Sequence, residues 1–291
     1  MTRRSWIELL ILSAMWGAVY PLTTIALRDF PPLSVVLGRV LLATLLLLPL
    51  ALHRNALREL WKHPRAVTET VLIQSTVPLL LLTFGQQYVT SGLAGIIVGA
   101  QPLFVALLAV HYDPTERPRG WTGAIGIALG FTGLVLLFGV DLNGGPTALL
   151  GGILVLTAAL SYAAGAIMIH RGHADAPPLG VATSAMLVTT TAVAIPAALT
   201  PPTNPPGPGP TAALAVLGLA CTGATLVLFF TLITRTGPAR AALAFYLSPA
   251  FAVTLGALFL RETITPTTLA GLAAIVAGSI LAARRDPPAT T

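Results

Sequence analysis

Ten apolar stretches fill almost the whole chain, at residues 6–27, 33–52, 66–85, 92–111, 119–140, 148–170, 179–199, 211–233, 239–260 and 266–283. Each approaches or exceeds the ~20 helical residues that cross a hydrocarbon core of ~30 Å. The links between them are short and built from turn residues: Pro31-Pro32, Asn143-Gly144-Gly145-Pro146, and a segment from Thr200 to Pro210 with six prolines and no charge. That last link reads as an extended surface connector. The pattern predicts an all-α polytopic membrane protein with ten transmembrane helices and no soluble domain of useful size.

Composition agrees: 55% of residues are hydrophobic and 9% are charged, against roughly 25% charged in a soluble protein. The formal net charge of +6 does not point to nucleic acid, because the basic residues lie between apolar spans, where they set topology. Arg3 and Arg4 precede the first span as in a signal peptide, but that run is too long for a signal core and lacks a clear cleavage site, so it reads as a retained helix. With the N-terminus in the cytoplasm, thirteen Lys and Arg residues fall inside (Arg3, Arg4, Arg54, Arg58, Lys62, Arg65, Arg117, Arg119, Arg171, Arg235, Arg240, Arg284, Arg285) and two outside (Arg28, Arg261). The expected location is the cytoplasmic membrane, with both termini inside.

The chain also repeats itself. Ala94 to Phe104, containing Gln101-Pro102, leads to Glu116-Arg117; Ala242 to Phe251, containing Ser248-Pro249, leads to Arg261-Glu262. A glycine pair follows each, Gly126/Gly133 and Gly271/Gly278. Five helices per half is an odd number, so halves 1–143 and 144–291 would enter the bilayer from opposite faces. This 5+5 inverted-topology repeat is a construction common among secondary transporters.

Trp16-Gly17, Arg39, Gln87-Tyr88-Val89-Thr90-Ser91, Pro102 with Glu116-Arg117, Gly237-Pro238-Ala239-Arg240-Ala241, Tyr246-Leu247-Ser248-Pro249 and Glu262 occur in an order that resembles the EamA family of the drug/metabolite transporter superfamily. The resemblance runs from about Ser5 to Ala282. It implies a ten-helix carrier of small organic solutes, often outward: amino acids, related metabolites or drugs. The chain departs at Val110 to Thr115, where the family usually shows a Leu-Gly-Glu ending.

Polar groups at membrane depth are costly and need a reason. Arg39 in the second span either attracts an anionic group such as a carboxylate, or has a structural role in which it snorkels to the outer interface or pairs with Asp29 or Glu262. Gln101 beside Pro102 either orients a polar solute, aided by the carbonyl that proline frees, or bonds another helix. Ser248 and Tyr246 beside Pro249 carry the same two readings, and Gln74 resembles Gln101. Trp16 and Tyr20, four apart on one helix face, either line a pocket with Tyr162 and Phe245 or simply pack. Pro21, Pro102, Pro196 and Pro249 are candidate flex points. Gly95-x-x-x-Gly99 and Gly126-x-x-x-Gly130 read as close-packing motifs.

All five histidines fall at expected cytoplasmic ends, and His170 and His173 read as interfacial rather than metal-binding. No phosphate loop, metal motif or mid-membrane carboxylate is found, so the sequence calls for no metal, cofactor or direct ATP drive. The lone Cys221 lies in an apolar segment and excludes an internal disulfide. The expected function is secondary transport, with export favoured, by alternating access. Its partners are a small solute and the bilayer, and a monomer is compatible with the sequence. The rivals are a membrane-embedded enzyme acting on lipid-linked substrates, which would need paired acid/base groups or metal ligands, and a non-transporting scaffold.

Overall fold

The computed structural model describes residues 2–112, 120–140, 145–237 and 241–282. Glu116, Arg117, Arg119, Pro238 to Arg240, Arg284 and Arg285, all used in the sequence argument, lie outside them. The described residues form α1 (Arg3–Ala26), α2 (Pro32–His53), α3 (Pro64–Gly85), α4 (Ser91–Tyr112), α5 (Gly120–Val140), α6 (Pro146–Gly172) and α7 (Pro178–Ala198). Helix α8 starts as Pro208–Gly218 and continues to Thr225–Thr236; α9 is Leu243–Leu260 and α10 is Pro266–Ala282. The first nine are long and apolar enough to cross a bilayer; α10 has 17 described residues. Large apolar side chains stand outward, with Trp121 85%, Leu199 77% and Phe259 71% exposed. At ~25 cal/mol per Å² that surface would be costly in water, and in lipid it costs nothing. The chain is a multi-pass membrane protein.

Local chemistry explains the ends. Prolines open α2, α3, α6, α7, α8 and α10 in or near the first turn, where a missing N–H costs nothing. Thr90 caps α4 by accepting the N–H of Leu93. Serine and threonine hydroxyls inside the helices return to their own backbone, as Ser13 does to Leu9 at 2.7 Å and Thr44 to Val40 at 2.7 Å. No buried hydroxyl is then left unpaired at these positions.

Helices α1 and α9, α4 and α6, α5 and α10, α2 and α7, α3 and α6, α1 and α8, α2 and α8, and α4 and α9 are among the principal packed pairs. Small residues set the closest approaches. A Cβ added at Gly126 would meet Gly278 and Ala282, and one at Gly133 would meet Gly271 and Ala274, so α5 and α10 run antiparallel. Gly92 lies against Val253 and Gly99 against Pro249, so α4 and α9 do too. Ser34 donates to the Thr200 carbonyl and Thr44 shares a hydrogen bond with Thr190, so α2 and α7 complete the set.

The starts of α1, α3, α7 and α9 therefore share one end of the bundle, the near end; the starts of α2, α4, α6, α8 and α10 mark the far end. Among the described residues two helices carry a π turn, which the predicted spans did not include: α3 at Leu72–Thr76 and α8 at Leu219–Ala224. Such turns release the regular i→i−4 bonding and are frequent at functional sites.

Candidate functional site

A cavity of about 850 Å³ runs from mid-bundle to the near end. Its walls come from α1, α2, α3, α4, α6, α7, α8 and α9. The predicted binding candidates lie on α1, α2, α3, α4, α6 and α9, so α7 and α8 are additions. The π turns of α3 and α8 sit on the cavity wall, presenting Gln74-Ser75 and Cys221-Thr222.

Arg39 is the cationic side chain deep in this cavity, and its immediate partner differs from both predicted ones. Its Nε donates to Thr222 Oγ1 at 2.8 Å. The Thr222 hydroxyl donates in turn to the Leu217 carbonyl at 2.7 Å, a bond to i−5 across the π turn. That aims an oxygen lone pair at the guanidinium. Asp29 instead accepts from the Gly207 N–H at 2.7 Å. Glu262 accepts from the N–H groups of Ser91 and Gly92 at 2.7 and 2.9 Å, where the start of α4 attracts an anion. Both acids are committed at the far end, one helical segment away from Arg39. The pairing of Arg39 with Asp29 or Glu262 is therefore corrected. Among the described residues that line the cavity there is no Asp or Glu.

An aromatic cluster occupies the near half. Trp16 stacks on Phe245 with ring centroids 4.6 Å apart, and Phe229 meets both, at 5.1 Å from Trp16 and 5.6 Å from Phe245. Phe229 was absent from the sequence candidates, although it shares one face of α8 with Thr222 and Thr225 at helical spacing. Tyr20, Gln74, Gln101, Tyr162, Ser248, Pro102 and Pro249 also line the cavity. Tyr246 does not, since it lies one residue, about 100°, around α9 from Phe245. Pro21 is buried inside α1, and Pro196 is exposed in the last turn of α7; neither reaches the cavity.

The two mirrored prolines differ. Helix α4 is interrupted by a turn at Gly99-Ala100 just before Gln101-Pro102, whereas α9 runs unbroken through Pro249. Gln74 Oε1 is buried with no hydrogen-bond partner among the described residues, packed on Gly165, where any Cβ would collide with it. Gln86, not singled out from the sequence and outside the lining, donates to the carbonyl of Tyr20 at 3.0 Å and so ties the end of α3 to α1. His170 and His173 line the near mouth.

Comparison with known proteins accords with this geometry. The model of the EamA-like transporter family matches the chain twice, over residues 4–139 and 149–284. The uncharacterized inner membrane transporter YedA of Escherichia coli is 29% identical over 94% of this chain and 88% of its own length. The uncharacterized transporter YoaV of Bacillus subtilis is 27% identical, covering 91% of each. A probable amino-acid metabolite efflux pump of Escherichia coli is 28% identical over 61% of this chain and 58% of that protein. A solved crystal structure, 19% identical, superposes with a TM-score of 0.69 over 98% of this chain and 100% of that one, a likeness of fold. The chain belongs to the EamA-like transporter family and is a membrane transporter.

Proposed function

We propose that this member of the EamA-like transporter family exports small carboxylate-bearing solutes, of the amino-acid or related-metabolite class, by alternating access between two five-helix halves. The carrying observation is the lone deep guanidinium of Arg39 in a cavity whose described lining has no acid. A buried charge needs a partner, and a solute carboxylate supplies one. With Nε held by Thr222, the planar fork is oriented in advance, which lowers the entropy lost on binding. The cluster of Trp16, Phe229 and Phe245 offers flat apolar walls to the rest of the solute. Gln101 and Ser248 add hydrogen-bonding groups beside their prolines. The relative described as an amino-acid metabolite efflux pump supports the same class.

The packing supports reading the chain as ten spans divided into 1–143 and 144–291. Exchanging each helix with the one five places on turns the α1–α9 pair into α6–α4, the α3–α6 pair into α8–α1, and leaves α2–α7, α4–α9 and α5–α10 as themselves. The three self-paired contacts are antiparallel, as two oppositely inserted copies require, and the two π turns fall on exchanged helices. The double family match supports the same division. With the positively charged near end in the cytoplasm, the open mouth faces the compartment from which an exporter loads.

The test is counterflow of labelled amino acids in proteoliposomes. Arg39→Ala should cut carboxylate-solute flux at least about tenfold, the ~1.4 kcal/mol of one charge-assisted contact. Arg39→Lys should retain part of it, since it keeps the charge and loses the fork. Trp16→Ala and Gln101→Ala should lower flux with insertion intact. Unchanged carboxylate flux in Arg39→Ala would end the proposal.

A further inference from the structure

A second cavity, of about 670 Å³, lies on the other side of α6. Its walls are single helical faces: Ala66, Glu69 and Thr70 of α3, Leu108 and Tyr112 of α4, and a stripe of α6 beginning at Leu160 and Ala164. The spacings of three and four residues place each set on one side of its helix. Tyr162, between the two stripe residues, lies about 200° around α6 from Leu160, and it lines the central cavity instead. Helix α6 is thus a partition, one face to each space.

The partition stops at one residue. His173 ends α6 and lines both cavities. Its Nδ1 is buried and has no hydrogen-bond partner among the described residues. The outer wall of the second cavity is open: Leu160 is 39% and Tyr112 58% exposed, on a surface that faces lipid. At its near-end rim stand one acid, Glu69, and one base, Arg171, both exposed. No ion pair between them occurs among the described residues.

We infer that this groove is a lateral binding site through which amphipathic amino-acid derivatives, already partitioned into the bilayer, reach the central cavity past His173. The apolar stripe holds the hydrocarbon or aromatic body. Glu69 meets the ammonium and Arg171 the carboxylate of a zwitterionic head, which thereby stays at the interface where both charges are hydrated. Around the end of α6 the head meets His173, whose free nitrogen is a hydrogen-bond partner on the boundary of the two spaces. This rests on the transport reading above and extends it to membrane-dissolved cargo.

The probe pair is ε-dansyl-lysine, which keeps a zwitterionic head on an apolar fluorescent body, and radiolabelled serine, which does not partition. Ala164→Trp fills the groove from a position that does not touch the central cavity; Leu160→Trp does so from the lipid edge. Both are assayed as the full chain in proteoliposomes, with dansyl fluorescence in nanodiscs as a binding readout independent of flux. Expected are dansyl-lysine flux and binding falling toward protein-free levels, with serine flux within about two-fold of the parent, the margin of a substitution that leaves the fold intact. Equal loss of both solutes in both variants, or no loss of either, overturns the inference. A parent that carries serine but not dansyl-lysine overturns it while leaving the transport reading standing; a parent that carries neither overturns both.

Discussion

At the far end of the bundle, Glu262 grips the first two N–H groups of α4, Asp29 holds Gly207, and Gln86 reaches the Tyr20 carbonyl. Each bond ties one half of the chain to the other or one helix to the next, and the helices behind them meet at glycines. At the near end the ties among the described residues include an Arg235–Glu8 pair at 2.6 Å and a Trp61 indole donating to Ser184 at 2.9 Å, and the cavity opens past His170 and His173. The closed end is held by carboxylates on backbone amides in glycine-lined seams. The open end is held by side chains at the water boundary. A carrier that rocks between two states needs both ends closable. On the alternating-access proposal, the far-end contacts are the ones to be released for the cavity to face the other way.

The sharpest contrast comes from one substitution made at both ends. A Cβ at Gly256 would collide with Glu262 Oε2 and lie 2.7 Å from Ser91 Oγ, whereas one at Gly172 would have nothing within 4 Å. Gly256→Ala should displace the Glu262 clamp and overpack the α4–α9 seam, at a cost of about 3 kcal/mol from the two effects together. Gly172→Ala should stay within about 0.5 kcal/mol of the parent. Thermal unfolding in detergent measures both. Equal tolerance at the two positions would remove the distinction between the ends.

Next in size is the clamp itself. Glu262→Ala leaves the seam glycines in place but removes the anion at the start of α4, a loss of about 1–2 kcal/mol, comparable to losing a helix cap. Such a loss biases the bundle away from the closed far end by about five-fold or more. In a Cys221→Ala background, Val253→Cys is buried in this seam beside Gly92. Its labelling by a membrane-impermeant maleimide in nanodiscs should quicken by that factor when Glu262→Ala is added. Ala176→Cys at the open mouth should label rapidly in both. No change at Val253→Cys would make Glu262 a static cap rather than a releasable one.

Much of this architecture was legible in the residues, and the reasons are physical. Hydrocarbon imposes a strict apolar length, so the spans declare themselves, and helix–helix contact in lipid selects small residues: the glycine pairs Gly126/Gly133 and Gly271/Gly278, which the sequence offers as marks of the repeat, meet each other at the α5–α10 crossing. The aromatic and polar residues at mid-depth, Trp16, Tyr20, Gln101 and Ser248, came to the cavity because such groups have few other tolerable locations. What stayed hidden depends on tertiary partners. The π turns of α3 and α8 alter the bonding register, and neither Pro78 after the first nor Gly218 and Gly223 around the second says which side chain the turn will present, so Thr222 could not be foreseen as the partner of Arg39. Asp29 and Glu262 looked available as counter-ions because a sequence shows charge but not which backbone amides have already taken it. Tyr246 failed to reach the cavity for a reason of angle: one residue of helix is enough to turn a side chain away.

The smallest effect belongs to the open end, and its size is what the comparison requires. Glu8 accepts from both Arg4 and Arg235, yet those arginines are 75% and 44% exposed. Pairs so placed are screened and contribute about 0.2–1 kcal/mol. Glu8→Gln should therefore change thermal stability by no more than that, and 0.5 M salt should erase most of the difference, because the Debye length then falls to roughly 4 Å. The far-end clamp should behave otherwise. Glu262 bonds to helix amides in a packed seam, so salt should leave the Glu262→Ala deficit largely intact. Melting the two variants at low and high salt sets the two ends against each other in a single experiment. A Glu262 deficit that salt removes as readily as that of Glu8 would mean that both ends are held by the same surface electrostatics, and the seam would lose its role as the gate that must be broken.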